Sequence, residues 1–146
     1  MTDSDGSGAV RGASSALPVP IPFIEWLGAQ LLEMADGRAV ATVTPRPEHM
    51  NSWAVVHGGV VMTMLDFVMA MAGRSARADL AADEAGGNLT VEMKTTFIRP
   101  AKGTLTVTAQ CLHAGRSLSF CEGEILNAER KLVARASGTF KFWKNP

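Results

Sequence analysis

Two features that could do chemistry sit on one run of residues, His57 to Ala72. The run opens with Gly58-Gly59 and carries a single acid, Asp66, between Leu65 and Phe67. The first N–H groups of a helix have no partner inside it, and glycine has no Cβ to shield them. A Gly-Gly start therefore makes a site for an anion or a polarised carbonyl oxygen. Asp66 lies about two turns further on, among Met64, Leu65, Phe67 and Met69. Burying an unpaired carboxylate is costly, so Asp66 needs either a neighbouring Thr or backbone donor, or a reaction to serve. The pattern alone leaves both readings open.

The elements that must position these groups follow from periodicity. Gly59 to Ala72 reads as a helix that is apolar nearly all round and therefore buried. At about 1.5 Å per residue it spans roughly 20 Å, which suits a core helix and is too short for a bilayer. Ahead of it, Ile21 to Gly28 reads as a short helical turn that buries Phe23, Trp26 and Leu27. Ala29 to Met34 reads as a strand, Asp36-Gly37 as a hairpin turn, and Arg38 to Thr44 as the partner strand. Pro45 and Pro47 end it, and a loop over 46–56 presents His49, Asn51 and Trp53.

After the helix, 74–87 is a polar, Ala-rich connection with a ragged helical end. From Asn88 the period changes to two. Leu89 to Ile98 is expected to place Val91, Met93, Thr95 and Phe97 on one face. Thr104 to His113, Ser117 to Asn127 and Lys131 to Trp143 complete an expected four-strand meander. One sheet with the helix across it is the simplest two-layer arrangement. A helix apolar all round also needs cover on its other side. In so small a domain a second subunit supplies that cover, so at least a dimer is expected.

With 146 residues, 47% hydrophobic and 19% charged, the chain reads as one globular domain over 21–146 behind a disordered Gly/Ser/Pro-rich tail, 1–20. The 14 basic and 14 acidic residues balance, which argues against nucleic acid as the main partner and leaves room for a local basic patch. Cys111 and Cys121 stand ten apart with no zinc-ligand spacing, so no metal is expected and both read as apolar strand residues. No signal-peptide pattern or membrane span is read, and the expected location is cytoplasmic.

Asn51, His57-Gly58-Gly59 and Asp66, in that order and spacing, resemble the signature of hotdog-fold acyl-CoA thioesterases of the phenylacetate-pathway, or PaaI-like, branch. Phe97-Ile98-Arg99-Pro100-Ala101-Lys102-Gly103, His113-Ala114-Gly115-Arg116-Ser117 and Leu132 to Phe140 follow the same family's strand pattern. The resemblance implies an α+β hotdog fold, with a long central helix wrapped by a five- or six-stranded antiparallel sheet. It also implies a homodimer, often a homotetramer, and an acyl-CoA substrate with no cofactor beyond the CoA of that substrate. By position, Asp66 becomes the catalytic carboxylate, as nucleophile or as general base on water. Gly58 N–H becomes the donor that polarises the carbonyl, Asn51 a positioning residue, and Thr90 the hydroxyl that orients water. Ala54 stands where many relatives carry Gly.

Thioester hydrolysis builds negative charge on the carbonyl oxygen, and donors at a helix start stabilise it without reorganising. Gly58 and Asp66 are eight residues apart, about 12 Å along one helix. One carbonyl carbon cannot touch both, so two antiparallel helices around a two-fold axis are expected to share each site. His57 acts either as an acid or base, or by holding the loop ahead of the helix. His49 and His113 read as surface residues. Arg99, Lys102 and Arg116, with Ser117, either grip CoA from turns or stay solvated. Gly59, Trp53 and the helix methionines could border the acyl group, although most of the methionines read as core. Two further readings remain: a hotdog hydratase, which needs a differently placed Asp/His pair, and a non-catalytic acyl-CoA or aromatic-ligand binding protein.

Overall fold

The structure is a computed structural model, and it describes residues 17–81 and 86–144. Most of the expected tail lies outside the described residues, while Leu17 packs against the core. The first helix, α1, runs Pro22–Leu27, with Pro at its start and Gly28 closing it at φ 73°. Residues three apart share a helix face, and the Ile24/Leu27 pair takes the core. The neighbouring pair, Phe23 and Trp26, was expected inside. It faces outward instead, 56% and 55% exposed, with the two rings stacked on each other. Strands β1 (Gln30–Ala35) and β2 (Arg38–Val43) flank Asp36-Gly37. Both turn residues have positive φ, 49° and 80°, as a two-residue hairpin requires.

The long helix α2 covers Gly58–Ser75, followed by the short α3, Ala78–Ala81. Strands β3 (Gly86–Phe97), β4 (Leu105–Ala114), β5 (Leu118–Leu126) and β6 (Leu132–Lys144) complete a six-stranded sheet in the order β1-β2-β4-β5-β6-β3. All pairings are antiparallel. This is the helix-in-sheet architecture that the resemblance implies, with one correction. The last four strands are not a meander, because β3 pairs with β6 at the sheet's edge and β4 takes the place beside β2. Burial explains the exchange. Leu105, Val107 and Ala109 of β4 are fully covered in the centre, whereas Leu89, Val91 and Phe97 of β3 are each at least half exposed.

The sheet curls around α2, which buries Val61, Met64, Leu65, Val68, Met69 and Ala72 against Ala41, Val107, Ile125 and Phe140. Two bare strand positions let the helix come close. A Cβ at Gly123 would lie 3.2 Å from Met69 Cγ, and one at Gly138 3.2 Å from Met69 Cε, so Met69 occupies a notch between β5 and β6. Away from its two ends α2 is left less covered along the stripe of Met62, Thr63, Asp66 and Ala70, which Gly59 continues at its start.

β3 carries an irregularity that the alternation does not foretell. Thr90 pairs with Phe140 and Glu92 with Thr139, so Val91 is an extra residue bulged out of the ladder. Strict alternation would put Thr90 and Met93 on opposite faces. The bulge brings both to the helix side and leaves Val91 58% exposed, correcting the expected face.

Gly73 makes the close fit testable. A Cβ there would stand 2.6 Å from Ser119 Oγ and 2.9 Å from Asn88 Nδ2. A Gly→Ala change inside a helix ordinarily gains about 1 kcal/mol. Here overpacking reverses the sign, and Gly73→Ala is expected to lose roughly 1–3 kcal/mol in urea unfolding.

Candidate active site

The start of α2 is built by its N-cap residue, His57. The His57 Nδ1 accepts the Gly59 N–H at 2.8 Å, and the His57 carbonyl accepts the Val60 N–H at 2.9 Å. Among the described residues nothing accepts from the Gly58 N–H, which is left as the open donor at the helix's positive end. The first turn of α2 contains no acid that would neutralise that end. The bond from Gly59 N–H to His57 Nδ1 fits the holding role of the two that its type allowed.

The loop ahead of α2 is tied from several sides. Asn51 Oδ1 accepts from Trp53 N at 2.9 Å and Val55 N at 3.3 Å, and Asn51 N donates to Val55 O at 2.8 Å. Met50 and Val56 form a bridge, and Val56 N donates to Ala101 O at 2.9 Å. Ala54 sits at the tip with φ 55°, a conformation that glycine adopts freely and alanine does not. Trp53 is 82% exposed. With Phe97, Ile98 and Arg99 it lines the cavity into which Gly58 opens.

Asp66 opens elsewhere. It is half-buried in a groove lined by Phe23, Met62, Met71 and Met93, together with Thr90 and Asn88. The Thr90 hydroxyl donates to Asp66 Oδ1 at 2.6 Å. This is the partner the carboxylate needed, and the Val91 bulge is what aims it. No ion pair involves Asp66 among the described residues. Asn88, which the sequence reading did not single out, ties this groove to the helix through Nδ2 to Ala70 O at 2.9 Å.

The basic residues divide. Arg99 lies beside the Gly58 cavity, its Nη1 donating to Leu132 O at 2.8 Å, and Lys102 is exposed in the following turn. Arg116 and Ser117 lie at the opposite end of α2, where Arg77 donates to the carbonyls of Gly115 and Arg116 at 3.0 and 3.1 Å. Within one chain they do not join the others. His113 is exposed as expected and stacks on Phe120. His49 is not: it is 1% exposed, under Trp26. Its position, two residues after Pro47 in a 3-10 turn (Pro47–His49), is the signal that could have placed it, because a side chain there can reach back to the turn's start.

A concavity on the sheet's outer face, between Lys94 and Glu122, touches none of these residues. Among the described residues no three His, Cys, Asp or Glu side chains gather as a metal site, and no helix is long and apolar enough to cross a membrane. Cys111 and Cys121 face each other across β4 and β5. Burial, with Cys111 adding to it, pushes the Cys121 thiol up to about 12. Burial also raises Cys111. Neither is a ready nucleophile.

A profile of the thioesterase superfamily matches residues 54–134, a span that holds the Gly58 donor, Asp66 and Thr90. The acyl-coenzyme A thioesterase PaaI of Escherichia coli is 34% identical over 114 residues, covering 77% of this chain and 76% of that one. A putative esterase of Mycobacterium tuberculosis is 34% identical over 121 residues, covering 82% and 84%. The solved structure of that esterase superposes with a TM-score of 0.77 over 86% of this chain and 99% of its own. E. coli PaaI superposes at 0.72, over 85% and 84%. The chain belongs to the thioesterase superfamily and has its hotdog fold. It is an enzyme of the thioester-hydrolysing class, on the PaaI-like side of that family.

Two measurements check the site's construction. Ala54→Gly relieves the strained tip and is expected to raise stability by up to about 1 kcal/mol in urea unfolding. The native protein is expected to leave an aromatic disulfide reagent at pH 8 nearly unreacted, and to release two thiols once unfolded in guanidinium.

Proposed function

We propose that the chain hydrolyses acyl-CoA thioesters at sites shared by two protomers. Asp66 of one protomer faces the Gly58 N–H of its partner. The observation that carries this is the separation of the two groups within a chain. They open into different cavities, about 12 Å apart along α2. The 12-residue edge strand β3 supports a two-fold pairing, because it presents an unpaired ladder and the exposed Leu89, Val91 and Phe97. Joining two such edges would set two α2 helices side by side and antiparallel. It would also cover the less buried stripe that carries Asp66. The name of the E. coli relative, an acyl-coenzyme A thioesterase, supports the substrate class.

In the proposed reaction the Gly58 N–H binds the thioester carbonyl oxygen and stabilises the charge that develops there. Asp66 attacks the carbonyl carbon, or takes a proton from the water that does; Thr90 holds one carboxylate oxygen so that the other faces the substrate. Where water attacks, its oxygen bonds to the carbonyl carbon as the carbon–sulfur bond breaks; where Asp66 attacks, the mixed anhydride so formed is then hydrolysed by water, and on either route CoA leaves as the thiolate. The products are free acid and CoA. Asn51 and His57 shape the donor end, with Gly59 beside it. Trp53 borders the substrate there, and Arg99 and Lys102 stand where they can meet CoA phosphates. Arg116 and Ser117 enter this reading only through another protomer.

Thiol release from a panel of acyl-CoAs tests the chemistry. Asp66→Asn is expected to lower kcat/KM by about 10²–10⁴-fold. Thr90→Val should lower kcat about 10–100-fold, as expected for losing a hydrogen bond to a charged group. Release unaffected by Asp66→Asn would remove that residue from the reaction, and binding without any release would make the protein a carrier. Sharing of the site is tested separately by mixing subunits. A heterodimer of Asp66→Asn with Gly58→Val retains one intact shared site and should recover up to half of the parent activity. A site confined to one chain would leave the heterodimer inactive.

A further inference from the structure

We propose that His49 is a positioning residue that aims the Gly58 N–H at the thioester carbonyl. The inference rests on the reading that this N–H polarises the carbonyl. His49 is 1% exposed, and its Nδ1 accepts the Arg46 N–H at 3.1 Å, which places the ring proton on Nε2. That Nε2 is buried with no hydrogen-bond partner. An unpaired buried donor is costly, and a leucine or methionine would fill the space without it. A histidine is kept here for what its other nitrogen holds.

The ring is clasped from above. Trp26 of α1 meets it edge to face, with centroids 5.6 Å apart. The Arg46 guanidinium lies 5.7 Å from the Trp26 ring centroid and donates to the Trp26 carbonyl at 2.6 Å. This gives the outward-facing Trp26 a role: it packs on the loop ahead of α2 rather than on the main core. Below, the His49 carbonyl accepts the His57 N–H at 2.8 Å.

His57 is therefore held at three points. Its N–H is held by His49, its Nδ1 by the Gly59 N–H, and its carbonyl by the Val60 N–H. In a trans peptide the carbonyl and the next N–H point in opposite directions. With the His57 carbonyl committed to the helix, the Gly58 N–H must point out of it. That peptide is joined through the φ and ψ of His57 to the preceding one, which the His49 carbonyl holds, so a displaced His49 tilts both. His49 touches no reacting atom and acts only through this chain of bonds.

The test reads the carbonyl itself. Benzoyl-CoA labelled with carbon-13 at the carbonyl is bound to the Asp66→Asn protein, in which turnover is expected to be slowed about 10²–10⁴-fold, and its infrared stretch is read before hydrolysis and compared with that of the free thioester. A shift to lower frequency is expected. Adding His49→Leu should remove at least half of it. Adding His49→Asn, whose Oδ1 can accept the Arg46 N–H as Nδ1 does, should keep most of it. In the chain with Asp66 intact, His49→Leu should lower kcat about 10–100-fold with KM changed less than about threefold, and His49→Asn should stay within about threefold of the parent in both. Should His49→Leu fail to fold, Trp26→Leu removes the clasping ring but no hydrogen bond of the chain; about half the shift should be lost. A shift and kcat that survive either folded variant overturn the positioning role alone. No shift in the Asp66→Asn protein itself overturns the carbonyl-polarising reading and this inference with it.

Discussion

A carboxylate on an otherwise apolar helix is the constraint around which this molecule is arranged. Asp66 must keep polar partners while most of the helix surface is sealed against the sheet. The structure meets that need with one short hydrogen bond from the Thr90 hydroxyl and with an opening along a single stripe of α2. No ion pair involves the group among the described residues. The strand that supplies Thr90 is also the one at the sheet's edge. Support for the carboxylate and the open edge of the sheet therefore come from the same element.

The helix that carries the acid also supplies an electrostatic complement at its start. Gly58 offers an N–H unengaged among the described residues, the first turn carries no acid, and the cap is a ring nitrogen acceptor rather than the usual carboxylate or hydroxyl. The far end carries Arg74, buried beside the last turn and donating to the Gly86 carbonyl, which suits the negative pole. One polarised helix thus carries an unengaged donor at its positive end and, about two turns along, a half-buried carboxylate. The rise between them separates the two groups within a chain.

Much of this was legible in the residues. The long apolar run, the Asp36-Gly37 hairpin and the strand spans lie within a few residues of where they were read, because periodicity and turn chemistry are local. Gly58-Gly59 and Asp66 stand out by residue type and spacing, and the structure leaves the Gly58 N–H unengaged among the described residues and Asp66 half-buried beside Thr90. What was not legible is non-local. The place of β3 at the edge depends on which strand buries more, a competition that no single segment records. The Val91 bulge breaks the alternation at the point where Thr90 must turn inward, so a strict period-two reading puts the wrong residues on that face. The outward turn of Phe23 and Trp26, and the burial of His49 beneath one of them, reflect a contact between α1 and a loop more than twenty residues later.

Met69 has a consequence for the spacing of the reactive groups. Its side chain sits between Gly123 and Gly138, and a Cβ at either position would crowd it. A tooth seated in a gap indexes the rod that bears it. Sliding the helix by one residue would displace it about 1.5 Å along its axis. That exceeds the slack in a 2.6 Å contact three residues away. Two missing methyl groups on neighbouring strands thereby work as a vernier, setting the height at which the acid meets its hydroxyl.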